Sequence, residues 1–299
     1  MSGKGRPAAL EMVREGVPLG PLTTYKAGGP ARLFAEVGSV DDLMALAGSG
    51  LTREHPILVL GRGSNLVVAD AGFDGLVIHL GGAFATVEVN GDRIEAGAAA
   101  PLPRVARTAV EAGVLGLEFF VGVPGSVGGA VRQNAGCFGV ETADRLLTAR
   151  IIDLSDGTVR EVGPSLLELD YRHSNVAAEE AVISARFQGE RGDVEKGKQL
   201  MREITRWRKE HQPGGTLNAG SVFKNPPEVA AGELIESLGL KGMRVGDVAV
   251  SDKHANFFVA GPEATAAEIR ELVDKVKATV LERTGTKLET EIQFVGFDQ

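Results

Sequence analysis

Between Val121 and Val131 the chain reads GVPGSVGGA, four glycines and one proline in nine residues. Such a run is a poor interior for a long helix or a central strand. Glycine gives up the most backbone freedom on ordering, and proline lacks an amide hydrogen. The run can turn sharply and let backbone amides come close to another group. A shorter relative of it, Gly61-Arg62-Gly63-Ser64-Asn65, follows the apolar stretch ILVL. Loops of successive exposed amides bind anions, and a diphosphate joining two bulky groups suits a pair of them. Each loop taken singly reads equally well as a tight turn between short strands. Two in one strand-rich region leave both readings open, turns or a cofactor cradle.

The rest of the sequence fits a chain of many short elements. Glycine makes up 40 of the 299 residues and aromatics only 5%, so the core is aliphatic and the turns numerous. ARLFAEV (31–37) reads as a strand, SVDDLMALAG as a short helix capped by Ser39, and ILVL as a strand running into the Gly-Arg-Gly turn. GLVIHLG, ATVEVNG and DRIEAGAAA read as strands, with a turn at Asn90-Gly91. Residues 102–114 have helical spacing ending near Gly113, LTARIIDLSDGTVREVG is a hairpin turning at Asp156-Gly157, and AVISARFQ is a strand. A long charged amphipathic helix is predicted over 193–212, with a domain boundary near Gly189–Gly192. AAGELIESLG, the strand NFFVA, a last helix and a last strand follow. That helix opens with the capping-box spacing Thr265…Glu268 and ends before Gly285. No repeat is present, and the expected class is α+β.

Several functions are excluded or lack an anchor. A net charge of −8 with both signs interspersed argues against nucleic acid or an anionic membrane as partner. No run reaches the roughly 18 apolar residues of a membrane span, and the first residues lack a secretory signal's apolar core. The lone Cys137 cannot form an internal disulfide, so a cytoplasmic protein is expected. The five histidines are scattered without metal-ligand spacing, and no metal is expected. Leu66 stands where a Rossmann fingerprint needs its third glycine, LVVAD continues as strand rather than helix, and neither a P-loop nor a G-x-S-x-G elbow occurs.

Longer motifs carry a resemblance. ILVLGRGSNLVVAD, GLEFFVGVPGSVGGAVRQNAGCFG, YRHS, NAGSVFKNP and LKGMRVGDVAVSDKHANFFV stand in the order and register of the UDP-N-acetylenolpyruvoylglucosamine reductase (MurB) family, from about Thr23 to Gly296. The resemblance implies an α+β fold. Its FAD-binding domain is of the vanillyl-alcohol oxidase/p-cresol methylhydroxylase type in two subdomains, expected at 1–75 and 76–190, with a C-terminal α+β substrate domain at 191–299. It implies non-covalent FAD, NADPH as co-substrate and UDP-N-acetylglucosamine enolpyruvate as substrate, which the enzyme would convert to UDP-N-acetylmuramate for the bacterial cell wall. A monomer is expected, without nucleic-acid or membrane partners. The cofactor would be held by Leu60, Gly61, Arg62, Gly63, Ser64, Asn65 and Leu66, and by Gly122, Val123, Pro124, Gly125, Ser126, Gly128, Gly129, Ala130, Asn134 and Gly136. Ser64, Asn65 and Ser126 would add side-chain hydrogen bonds, and Val123 and Pro124 would shape the wall near the flavin.

The family's chemistry adds hydride to the terminal carbon of an enolpyruvyl ether and a proton to its α-carbon, so a general acid and a clamp for developing negative charge are needed. By resemblance Ser221 matches the proton donor, Arg172 the catalytic arginine and Glu291 the catalytic glutamate. Read alone, Ser221 is a turn serine, and Arg172 a surface residue. Strand alternation places Glu289, Glu291 and Gln293 on one face, so only the family register selects Glu291. It would serve either as an ion-pair partner of Arg172 or as a neutral donor. Tyr171, Arg208, His211, Lys224 and Asn225 match substrate-side positions, with His211 departing from the lysine of some members. The short span between Tyr171 and AVISARF leaves little room for the tyrosine-bearing insertion of the longer family form, so the shorter form is expected. Cys137 reads as a small buried packing residue rather than a covalent flavin link, and Trp207 as a core or interface residue rather than a ligand contact. Two other readings share part of this sequence: an oxidase of small alcohols or sugars on the same FAD fold, and a flavin-free nucleotide-sugar binding module.

Overall fold

The computed structural model describes residues 11–297. In chain order its principal elements are β1 (Val13–Pro18), β2 (Pro30–Val37), α1 (Val40–Gly48), β3 (Ile57–Leu60), β4 (Leu66–Val68), β5 (Phe73–Leu80), β6 (Val87–Asn90), β7 (Arg93–Gly97), α2 (Leu102–Glu111) and α3 (Val127–Gln133). These are followed by β8 (Leu146–Asp153), β9 (Val159–Val162), β10 (Glu180–Gln188), α4 (Val194–His211), α5 (Ala231–Ser237), β11 (Arg244–Val245), β12 (Val248–Val250), β13 (Phe258–Ala260), α6 (Ala266–Thr284) and β14 (Gln293–Val295). The mixture is the α+β content expected. Among the described residues no helix is long and apolar enough to cross a membrane.

The local signals act where they stand. Ser39 Oγ accepts the Asp42 amide at the start of α1. Asn90 and Arg93 face each other across the two-residue turn joining β6 and β7. Gly157 lies in the β8–β9 hairpin loop with φ +82°, and Thr265 and Glu268 exchange the two bonds of a capping box at α6.

The chain forms two compact units. Among the described residues one comprises 11–17, 32–62 and 74–206, the other 18–31, 63–73 and 207–297. The segments 18–31 and 63–73 therefore pack with the C-terminal third, an arrangement that consecutive domains cannot express. In the first unit a four-stranded sheet has the order β1-β2-β5-β3, with β3 and β5 parallel. A five-stranded antiparallel sheet has the order β9-β8-β10-β7-β6. Their inner residues share one aliphatic core with α2 and α3, including Leu76, Ile78, Val105, Val127 and Ile183.

In the second unit the antiparallel strands β11-β12-β13 and helix α6 enclose a separate core around Phe223, Phe258, Leu272 and Val276. Tyr25, Ala27 and Val67 belong to that core. The buried Tyr25 hydroxyl donates to the Phe258 carbonyl at 3.2 Å, and burial raises its pKa above the ordinary phenol value. Strand β4 pairs in parallel with β14, matching Leu66 to Gln293 and Val68 to Val295.

Candidate active site

In the first unit the run that opened the question becomes a short 3₁₀ turn ending at Gly122, an extended passage, and helix α3. It is stitched along the chain that leaves β7. Leu102 donates to the Gly125 carbonyl at 3.1 Å, Val127 to Ala100 at 3.0 Å and Gly128 to Ala98 at 2.8 Å. The small residues permit this approach, since a Cβ on Gly128 would lie 3.0 Å from that of Ala98. The other loop meets it: a Cβ on Gly61 would fall 2.6 Å from Ser126 Oγ. The buried Ser126 side chain does not cap α3.

The two loops border one cavity of about 210 Å³, lined by Leu60, Gly61 and Arg62 from one side and by Ser126, Gly128 and Gly129 from the other. Val59, Leu80, Val176 and Val182 supply apolar walls, and Arg132 and Glu180 are charged members of the lining. A Cβ on Gly129 would meet nothing nearer than Ser126 Oγ at 3.8 Å, so the backbone there is open to a ligand. Arg132 donates to the Ala177 carbonyl at 3.0 Å. Burial draws its pKa down from the ordinary guanidinium value, and the charge of Glu180 opposes that shift. Glycine backbone, apolar walls and a part-buried cation suit the nucleotide part of FAD.

Arg172 lies in the same unit, in the left-handed backbone region with φ +52°. Its guanidinium, 17% exposed, donates to Glu141 Oε1 and to the Gly136 carbonyl, each at 3.3 Å, and sits 5.0 Å over the Tyr171 ring. Asn134, expected at the cofactor, is buried and commits its amide hydrogens to Glu141 Oε2 at 2.9 Å and the Asp170 carbonyl at 3.0 Å. Gly136 pairs with Glu141 in a two-residue ladder. Half-buried Cys137 donates its thiol hydrogen to the Phe119 carbonyl at 3.0 Å.

In the second unit, Gly63 has φ +60°, and a Cβ there would fall 2.2 Å from the Leu22 carbonyl oxygen. Ser64 is half-buried. Asn65 donates its side-chain amide to the Glu291 carbonyl at 3.0 Å and accepts the Gln293 amide at 2.9 Å on its own carbonyl. Ser221 follows Gly220, whose amide bonds to Asn218 Oδ1 at 3.0 Å, and forms an antiparallel bridge with Phe257. Just beyond it, buried Asn256 accepts the Phe223 amide at 2.9 Å and donates to the Phe223 carbonyl at 2.8 Å. On the opposite edge Val222 accepts the Glu291 amide at 2.8 Å, and Phe223 bridges Thr290. Ser221 and Glu291 thus stand on adjoining extended segments. Glu291 is half-buried and Glu289 exposed, which distinguishes two glutamates that alternation could not.

Lys224 donates its amide to the Glu289 carbonyl at 2.9 Å, and Asn225 Oδ1 accepts the Ala231 amide at 3.0 Å, capping α5. At the end of α4, Arg208 donates to Gln212 at 2.7 Å. His211 Nδ1 donates to the Trp207 carbonyl at 2.8 Å while its ring stacks 4.5 Å from that indole. Sequence reasoning missed Glu141, Glu180, Arg132 and Asn256. For Arg132 a signal was present, a lone charge just after the glycine-rich run, in the last turn of α3. Asn256 acts on a distant segment and leaves no local mark, and Glu141 and Glu180 add long-range partners, Arg172 and Arg160, to their local bonds.

Two family models match the chain. Residues 31–163 match the model of an FAD binding domain, and residues 212–295 that of the UDP-N-acetylenolpyruvoylglucosamine reductase C-terminal domain. The chain is 42% identical over 279 residues to the UDP-N-acetylenolpyruvoylglucosamine reductase of Paramagnetospirillum magneticum, covering 93% of this chain and 90% of that one. It is 41% identical to that of Heliobacterium modesticaldum over 281 residues, at 93% and 89% coverage. The crystal structure of the Thermus caldophilus reductase superposes with a TM-score of 0.83 at 37% identity, covering 95% of this chain and 99% of that one. A more distant likeness, to 6-hydroxy-D-nicotine oxidase from Arthrobacter nicotinovorans (TM-score 0.53, 14% identity, 95% and 87% coverage), concerns the fold alone. The chain belongs to the UDP-N-acetylenolpyruvoylglucosamine reductase family.

Proposed function

We propose that this protein is an FAD-dependent reductase of peptidoglycan precursor synthesis, which uses NADPH to convert UDP-N-acetylglucosamine enolpyruvate to UDP-N-acetylmuramate. The observation carrying this reading is the family's C-terminal domain match over the segment that sets Ser221 and Glu291 on adjoining extended segments. Gly61 and Gly128–Gly129 would present backbone to the FAD diphosphate, with Arg132 the part-buried cation of that cavity. When bound, the flavin carries hydride between NADPH and the terminal enolpyruvyl carbon.

The protein's own residues handle charge and proton. Hydride arrival leaves negative charge on the substrate's α-carbon and carboxylate. The Arg172 guanidinium, a fixed fork of donors, stabilises a carboxylate gaining enolate character. Ser221 Oγ delivers its proton to the α-carbon. A hydroxyl is a weak acid, and it serves here because the centre it protonates is strongly basic. Glu291 supports that transfer. Lys224, Arg208 and His211 would meet the anionic diphosphate.

The test separates the two half-reactions by flavin absorbance in a stopped-flow instrument. Ser221→Ala should reduce with NADPH at close to the wild-type rate, because that step needs no substrate proton. Reoxidation by the enolpyruvyl substrate should slow by roughly 10²–10⁴-fold, the usual worth of a general acid. Equal losses in both steps would overturn the assignment. Oxygen consumption with small alcohols in place of the UDP-sugar would favour an oxidase instead.

A further inference from the structure

Two of the five described non-glycine residues with positive φ, Asn134 at +42° and Arg172 at +52°, bond to the same carboxylate. Side chains other than glycine enter this region at a cost of order 1–3 kcal/mol, and they persist there only where surrounding contacts fix them. Glu141 supplies those contacts. Oε2 accepts Asn134 Nδ2 at 2.9 Å and Oε1 accepts Arg172 Nη1 at 3.3 Å. The carboxylate also takes the Asp144 amide in a reciprocal capping box, in which Asp144 Oδ2 accepts the Glu141 amide at 2.8 Å. The other guanidinium nitrogen, Arg172 Nη2, reaches the carbonyl of Gly136, the residue paired with Glu141 across the two-residue ladder. Two arms of the guanidinium are thus pinned to two facing points of one hairpin, and the hairpin is locked to the Asp170 carbonyl by Asn134.

We propose that Glu141 is a positioning residue for Arg172, holding its guanidinium in the orientation that meets the substrate carboxylate. This rests on the assignment of Arg172 above. A carboxylate so placed also lowers the net charge presented around the guanidinium. The arginine then acts through the direction of its planar fork rather than as a diffuse cation.

The experiment is a double-mutant cycle on the holoenzyme. It reads the single-turnover rate at which the NADPH-reduced enzyme is reoxidised by saturating UDP-enolpyruvyl sugar. Flavin content and melting temperature are recorded for every variant. In the Arg172 background, Glu141→Gln removes the charge and turns a donor toward Asn134, and should slow reoxidation by about 10-fold, up to on the order of 10²-fold for an ångström-scale misdirection. Glu141→Asp keeps the charge and should recover part of the rate; it also serves where the glutamine variant folds poorly. In the Arg172→Ala background the same Glu141 substitutions should cost little more, because there is no guanidinium left to aim. Equal slowing in both backgrounds means a general structural role and overturns the proposal. So does an unslowed Glu141→Gln beside a slow Arg172→Ala. A wild-type rate in Arg172→Ala itself defeats the assignment of Arg172, a result separable from the other two.

Discussion

Gly63 shows how tightly single residues are specified. Its backbone sits at φ +60°, and any side chain would drive Cβ to 2.2 Å from the Leu22 carbonyl oxygen. Gly63→Ala should destabilise by about 1–3 kcal/mol from the strained backbone alone, with the clash added to it. The check is a denaturant titration with flavin loss followed in parallel, and an unchanged midpoint would contradict the placement. His254 gives the pH counterpart. Burial lowers its pKa below the ordinary 6.5, and the charge of Lys241 lowers it further. The unfolded chain therefore binds this proton more tightly than the fold does. The fold loses stability as pH falls below 6.5 and regains it as pH rises through that window. Replacing His254 with Gln should flatten the stability profile there, as read by melting temperature at successive pH values.

Among the elements, α6 has the most complete set of terminal contacts. Besides the Thr265–Glu268 box, the carboxylate of Asp70 takes the Ala266 and Ala267 amides at 2.9 Å each, and Gly285 closes the other end with φ +72° and a bond to Leu281. The capping box was written in the sequence. The Asp70 contact was not, because it comes from nearly two hundred residues away. An anion on the first free amides of a helix is favoured by the orphan donors and by the helix dipole together. Asp70→Ala should cost about 1–2 kcal/mol and Thr265→Ala about 1 kcal/mol. Thermal melts of both variants check this, and an Asp70 variant as stable as wild type would show the contact to be idle.

At the scale of the whole molecule, the order of units along the chain makes a prediction of its own. The core of the second unit includes Tyr25, Ala27 and Val67, and β14 pairs with β4. A fragment of residues 207–299 would lack all of these. It should show no cooperative melt by circular dichroism, whereas a sharp transition would mean that the C-terminal third is autonomous.

What the chain declared on its own was local. The caps at Ser39 and Thr265, the turns at Gly91 and Gly157 and the strand periods are read within a few residues, since propensity and hydrogen-bond geometry act over that range. The long motifs around GRGSN, GVPGSVGG and NAGSVFKNP named the family and pointed to Ser221, Arg172 and Glu291. Tertiary structure decided how those pieces are used. It set Gly61 against Ser126, bonded Asn134 to Glu141, and separated half-buried Glu291 from exposed Glu289. It also drew 18–31 and 63–73 into the C-terminal unit. These outcomes rest on packing and hydrogen bonds between segments far apart in sequence, whose partners become neighbours only when the chain folds.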